Sequence, residues 1–510
     1  MVAREDPLTK RYAYKLFANL AGVAVSVVTQ SIIPRGLGPR AYGDFNFLTN
    51  VFTQFAGFLD MGAGTAFYTK LSRRPRDAGL VSFYLCFTGI VCLLMATGVA
   101  FVHLTSSYSL ILPGQHLFYV YLALAWGVSA WILQVLGNMA DAYGATVPAE
   151  SARVLQKGLG LVLILALFLA QQLTLANLFY SNYLLFFVLG CAFIWVIGRR
   201  GYPLGHDWRL SAEQAKGYAK EFYQYTHPLF TYICICFIVG ILDRWLLQSF
   251  GGSIEQGFYG LSFQISTFCF LFTGAMTPLL TREFSIAFEN KDLAQMTALF
   301  RRYIPFMYSV AAYFSCFAVL QADKIIFVMG GSEYRGAQAA VTVMAFYPIH
   351  QTYGQLSGSL FFSTGQTVLY RNIGILFTLI GLPVTYFLIA PPAKMGLGAG
   401  ATGLAVKMVA IQFVGVNVQL YFNARFLKLP FWHYVRHQFL SVACFLGLAA
   451  IATISLDAIL GAHAHITVSL VLAGLFYTVM ALGLVYCVPA LSGLDREHMG
   501  SVLKKLWGYR

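Results

Sequence analysis

Residues 33–67, IPRGLGPRAYGDFNFLTNVFTQFAGFLDMGAGTAF, join the first long apolar run of the chain to the second. Three glycines (Gly36, Gly38, Gly43) and two acids (Asp44, Asp60) punctuate an otherwise largely apolar passage. The passage has a relative. From Trp245 the chain reads WLLQSFGGSIEQGFYGLSFQISTF, where Gly252 and Gly257 stand 214 residues after Gly38 and Gly43, and Tyr259 stands 214 after Phe45. A recurrence near half the length of a 510-residue chain points to two copies of one unit.

Outward from that stretch, the composition says what surrounds it. The chain is 58% hydrophobic and only 11% charged, with a mean hydropathy of +0.67, whereas soluble domains carry roughly 25% charged residues. Apolar runs of about 20 residues, each enough to cross a bilayer as a helix, fall near 14–33, 45–68, 80–104, 116–139, 154–171, 175–198, 223–248, 257–280, 303–320, 337–362, 369–390, 401–422, 437–455 and 466–488. The expected fold is all-α: a polytopic membrane protein of about fourteen transmembrane helices. A membrane barrel would show short alternating segments instead of continuous runs.

A second recurrence sets the relation of the copies. GNMADAYGATV closes span four and GSLFFSTGQTV closes span ten, pairing Gly137 with Gly358, Gly144 with Gly365, Thr146 with Thr367 and Val147 with Val368 at an offset of 221. Copies that start six spans apart keep the same orientation, so the repeats are parallel, about an axis along the membrane normal. The expected organisation is a first six-helix bundle over 1–198, a cytoplasmic amphipathic connector over 199–222, a second bundle over 223–424, and two extra helices with a cytoplasmic tail over 425–510. The first helix is expected to end at Pro34, before a Gly-rich turn.

A net charge of +14 would suit nucleic acid, but the placement of the bases argues for topology instead. The even-numbered connectors and both ends, counted with their flanks, hold nearly all of the 34 Lys and Arg. The other connectors hold only Arg35, Arg40, Lys324, Arg335 and Lys394, and Arg244 and Lys407 lie within spans. The positive-inside rule then puts both termini in the cytoplasm, with anionic headgroups as partners of the basic surface. No small-residue cleavage site follows the first run, which therefore reads as an anchor. All nine cysteines fall in spans; Cys234 and Cys236 lack further ligands at metal spacing, so they read as small packing residues and no metal is expected.

Ionisable groups inside a bilayer cost about 2.5–3.5 kcal/mol each on insertion scales, which makes every one a candidate. They are Asp60, His227, Asp243, Arg244, His350 and Lys407, with Asp44 and Asp141 nearer the edges. Asp243-Arg244 lies about two turns before the repeated glycines, and at offset 214 the first copy has Thr29-Gln30. The planar fork of Arg244 suits a phosphate; the alternatives are a helix-locking pair or a side chain snorkelling to the interface. Lys407 could meet an anionic headgroup or snorkel likewise. Arg35, Gln30, Asp243 and His350 complete the candidate substrate contacts, although single histidines among aromatics more often serve packing. Asp60 could couple transport to H+ or Na+, or cap a neighbouring helix. The chain has no phosphate-gripping P-loop, no HExxH, no GxSxG and no DxD, so an enzyme is not expected, and no cofactor either.

LGPRAYGDF followed by FLDMGAGTAF resembles the amino-terminal signature of the polysaccharide-transporter (Wzx-type) flippases. DRWLLQSFGG with GFYG, and IIFVMGGSEYRGAQAA at 325–340, are similar to that family's second-half motifs. The resemblance implies the multidrug/oligosaccharidyl-lipid/polysaccharide exporter fold and a bacterial cytoplasmic membrane location. It also implies transfer of a polyprenyl-diphosphate-linked oligosaccharide for O-antigen, exopolysaccharide or capsule assembly, beside a glycan polymerase and glycosyltransferases. Related lipid II flippases carry an Arg-Asp pair in the first helix, where this chain has Thr29-Gln30; here the charge stands at Asp243-Arg244. The rival readings are a multidrug exporter of organic cations with the same fold, a membrane glycan polymerase or glycosyltransferase, and a helical scaffold for glycan enzymes. The longest outer connector, about 321–338, carries only Asp323 and Glu333 as acids, few for an enzyme.

Overall fold

Glycine lacks a Cβ and so enters backbone regions closed to other residues. In a computed structural model, which describes residues 8–204, 210–227, 230–460 and 465–491, two glycines use that freedom in the same way. Gly38 has φ 72° and ψ 170°, and Gly252 has φ 71° and ψ −171°. Each breaks a long helix into two arms, at positions 214 residues apart. The first helix thus passes Pro34 and breaks at Gly38 itself, with no open turn, because Pro39 lacks an N–H and starts the next arm without loss. The second recurrence holds too: Gly144 has φ 68° and Gly365 has φ 72°.

The described regular elements are all helical. The chain divides into two units, Met1–Gly257 and Phe258–Arg510. The first holds α1 (Leu8–Asp60), α2 (Ala63–Arg73), α3 (Ala78–Leu104), α4 (Tyr108–Ile111), α5 (Leu117–Ala142), α6 (Thr146–Leu169), α7 (Leu175–Arg199), α8 (Ala212–Thr226) and most of α9 (Phe230–Phe268). The second holds the end of α9, α10 (Leu271–Glu289), α11 (Leu293–Leu320), α12 (Ala322–Met329), α13 (Gln338–Met344), α14 (Tyr347–Ser363), α15 (Thr367–Ile389), α16 (Gly400–Phe426), α17 (Phe431–Leu460) and α18 (Ile466–Cys487). Ten of the described helices are long and apolar enough to cross a membrane, α9 counting once despite its two arms. With the arms separated and the broken spans rejoined, all fourteen expected spans fall on helices. The expected connector near 321–338 is itself mostly helical, as α12 and a 3-10 turn over Ser332–Ala337.

Local chemistry sets the helix ends. Asp77 accepts from Leu80 N (2.9 Å) to cap α3, and Asp292 accepts from Gln295 N (2.8 Å) to cap the corresponding α11. Ser211 and Gln214 form a capping box that starts α8. That amphipathic helix is tied to α2 and α3: Glu221 pairs with Lys70 (2.8 Å) and Arg74 (2.7 Å), and Tyr218 donates to Asp77 (2.7 Å). In the first unit Phe67 stacks on Tyr84 at 4.0 Å and Phe45 packs on Phe179 and Trp126. In the second, α17 and α18 are joined to α11 by polar bonds: Gln321 donates to Thr453 (2.6 Å), and Tyr477 to the Tyr313 carbonyl (2.9 Å) beneath stacked rings. Such bonds select helix partners in lipid, where apolar side chains have no reason to prefer protein over acyl chains. All nine cysteines are free. The N-terminal residues 1–7 and the C-terminal tail from 492 lie outside the described residues.

Candidate functional site

The repeated glycines bring the two copies together inside the first unit. A Cβ on Gly43 would run into the carbonyl of Ser253, and a Cβ on Gly257 into the carbonyl of Pro39. Because Pro39 and Ser253 are also 214 residues apart, the two contacts are mates: each copy presents its glycine to the other copy's arm start. Such reciprocity is the signature of a twofold relation. It bears out the parallel repeat at the level of backbone contact.

Arg244 stands two turns before this crossing, half-buried. Its guanidinium donates to Gln256 Oε1 (3.1 Å), and Gln256 Nε2 donates back to the Arg244 carbonyl (2.5 Å), closing a ring across the Gly252 kink. Gln256 is wholly buried and Tyr42, its mate at offset 214, lies within electrostatic reach of Arg244. Gln54 lies against Gly240, where a methyl would meet its amide nitrogen at 3.0 Å. Between Tyr42 and Gln54 the arm carries Asn46 and Asn50, so Tyr42, Asn46, Asn50 and Gln54 recur every four residues along one face. Asn50 Oδ1 is buried without a hydrogen-bond partner. The arrangement is a cation beside a row of amides. Reading ionisable groups alone misses that row; the four-residue spacing of amides inside a span was the available signal.

The other candidates are placed as follows. Gln30 and Arg35 are exposed on the first arm of α1, and Asp243 is half-buried next to Arg244. Asp60 accepts from Gly64 N with both oxygens (3.0 Å each) and from Tyr84 OH (2.9 Å), holding the start of α2 where Met61 and Gly62 take positive φ. Asp141 reaches Arg153 (3.8 Å), which pairs more closely with Glu150 (2.5 Å). His227 is exposed. In the second unit, buried Lys407 lays its stem over Gly381 of α15, where a methyl would meet Cε at 2.8 Å. Its neighbours Val406, Val409 and Ala410 line a cavity of about 350 Å³ that also takes in His350 and Gln438. His350 meets Phe413 edge-on at 4.9 Å. Among the described residues, no cluster of three His, Cys, Asp or Glu side chains is arranged to hold a metal.

Comparison with known proteins gives the frame. A family model described as "Polysaccharide biosynthesis protein" matches residues 8–282. No curated protein matches the chain. Among solved structures, an inward-facing multidrug resistance MATE family transporter of the MOP superfamily aligns with a TM-score of 0.65 at 14% identity, covering 81% of this chain and 98% of its own. An outward-facing MATE transporter aligns at 0.57 with 16% identity, covering 82% and 96%. A MOP superfamily transporter from Pyrococcus furiosus, described as having a binding pocket of reverse polarity, aligns at 0.55 with 16% identity and the same coverage. The fold is therefore that of the MATE-like transporters, and the protein is a multi-pass membrane transporter.

Proposed function

Because this chain belongs to the polysaccharide biosynthesis protein family, we propose that it flips a polyprenyl-diphosphate-linked oligosaccharide across the bacterial cytoplasmic membrane, for O-antigen, exopolysaccharide or capsule assembly. Both termini lie in the cytoplasm in this reading, as the distribution of Lys and Arg requires. The observation that carries it is Arg244 beside the amide row. Moving a bare diphosphate through hydrocarbon is prohibitive unless cations and hydrogen bonds replace its water. Arg244 supplies the fork for the diphosphate, with Lys407 as the second cation; Arg35, Gln30, Asp243 and His350 stand as further contacts. Asn46, Asn50 and Gln54 match the hydroxyls of a sugar, each of which both donates and accepts. A drug exporter for organic cations would instead gain from carboxylates at this depth, and the central charge here is positive.

Alternating access about the twofold crossing moves the head group, while the prenyl tail stays in lipid. Asp60 is the candidate for H+ or Na+ coupling, because the group that holds the α1–α2 break would loosen it on protonation. A glycan polymerase and glycosyltransferases are the expected partners.

The test is glycan display. Arg244→Ala is expected to abolish surface glycan while the protein remains inserted at normal level, and Arg244→Lys to restore part of it. Gln256→Leu breaks the ring but keeps the cation, so glycan should persist. Loss of glycan in Gln256→Leu equal to that in Arg244→Ala would reduce Arg244 to a brace and end the proposal.

A further inference from the structure

A second polar cavity, of about 630 Å³, opens beyond the Gly252 kink, wholly within the first unit. Arg40, Asp44, His116, Tyr119, Gln248 and Ser249 line it, together with the glycine-rich turn. Such a volume falls within the usual range for small-ligand sites, about 300–1,000 Å³.

The hydrogen bonds around it are unevenly satisfied. Gln248 is buried, 4% exposed, and its Nε2 donates to the Pro113 carbonyl (3.1 Å) and to Ser253 Oγ (3.1 Å). A backbone carbonyl only accepts, so the amide nitrogen must face Pro113 and the orientation of Gln248 is settled. Its Oε1 is then an acceptor, and it has no partner. Ser249 Oγ has none either. Asp44 accepts from Gln115 Nε2 (2.7 Å) and from Ser253 Oγ, both on Oδ1, which leaves Oδ2 for an incoming group. His116 Nδ1 accepts from Phe118 N (3.3 Å), which puts the ring proton on Nε2.

A buried orphan acceptor costs about 1–3 kcal/mol, and a ligand that satisfies it recovers that cost. The ligand must therefore bring donors to Gln248 Oε1 and Ser249. It must also accept from Arg40 and His116. A simple anion meets the Asp44 carboxylate and the orphan oxygen, and a simple cation meets Arg40; neither suits the site. A hydroxyl both donates and accepts, and several on one ring suit all of these groups, with Tyr119 as an apolar wall.

We propose that this cavity binds a sugar ring, a subsite separate from the Arg244 position and built where the two copies cross. The transport reading supplies the source of the sugar, but binding to the free saccharide is a property of the purified chain. The test is saturation-transfer NMR on the full protein in nanodiscs, using free disaccharides of hexose, N-acetylhexosamine and uronic acid type. At least one is expected to receive magnetisation. Ser249→Ala removes a hydroxyl bonded to nothing in the protein, and Arg40→Gln changes an exposed group, so neither threatens folding; each should weaken binding at least fivefold. Absence of transfer to every disaccharide, transfer unchanged in both variants, or stabilisation by Na+ with no sugar signal would each overturn the inference. If Arg244→Ala stopped glycan export while no disaccharide bound, this subsite would fall and the transport reading would stand. Sugar binding in a protein whose Arg244→Ala variant still displayed glycan would keep the subsite and remove Arg244 from transport.

Discussion

The arms on either side of Gly38 and Gly252 share a backbone but not a chemistry. Both kinks have nearly the same φ and ψ, and both following arms meet at reciprocal glycine contacts. Two turns before the kink, however, one copy has Gln30 and the other Arg244; one turn after it, one has Tyr42 and the other Gln256. Duplication preserved what the backbone needs, since glycine has no substitute at a positive φ or a carbonyl contact. Side chains facing the interior were free to diverge, and the charge came to rest in one copy. A symmetric frame thus holds an asymmetric site.

The comparison is most easily broken at the crossing. Gly43→Val and Gly257→Val should both destabilise severely, by more than about 3 kcal/mol, because rigid carbonyls leave no place for a side chain. Detergent melting temperatures would show matched losses; a mild effect at either glycine would mean that the reciprocal contact is not kept.

The chemical half is tested next by moving the charge. Arg244→Gln is expected to cut glycan export at least tenfold, and adding Gln30→Arg should return part of it if the pseudo-equivalent positions share one passage. No recovery would confine the cation's role to its own copy.

A smaller loss is expected from Gly252→Ala. The added methyl meets nothing within 4 Å, so the cost is the backbone's alone, of order 1–3 kcal/mol. Thermal unfolding reads it directly, and the same substitution at Gly38 should match.

The smallest effect lies outside the duplicated arms. The bond from Lys70, with Arg74 beside it, holds the Glu221 carboxyl below its ordinary pKa. A depressed carboxylate stabilises the folded state above the unfolded pKa of about 4.3 and loses that contribution as pH falls through the lower folded value. Hydrogen exchange should show α8 loosening only in that acid window. Glu221→Gln should remove the pH dependence at a cost of at most about 1 kcal/mol, the pair being exposed.

Much of this was legible in the residues. The fourteen runs, the two offsets and the kinking glycines all follow from local rules: length of apolar run, and the few residues able to take a positive φ. The Pro34 boundary missed because proline interrupts a helix without having to end it, and Gly38 four residues on was the true break. Arg244 stood out as a charge in lipid, whereas the amides beside it carry no charge and nothing in the pattern sets them apart. Gln248 and Asp44 looked ordinary for the same reason.

By itself, then, the sequence determined that the chain spans a membrane many times, that it is doubled in parallel, and where its helices bend, since these depend on transfer energy and backbone sterics within one segment. Only the tertiary structure decided which helices touch, that Gln256 rather than an acid answers Arg244, that Lys407 lies over Gly381, and that Gln248 keeps an unsatisfied oxygen. The reason is physical: in a bilayer nearly every helix face is apolar, so hydrophobic pattern no longer says which face turns inward. That choice falls to close packing and a few hydrogen bonds, which exist only once the helices have met.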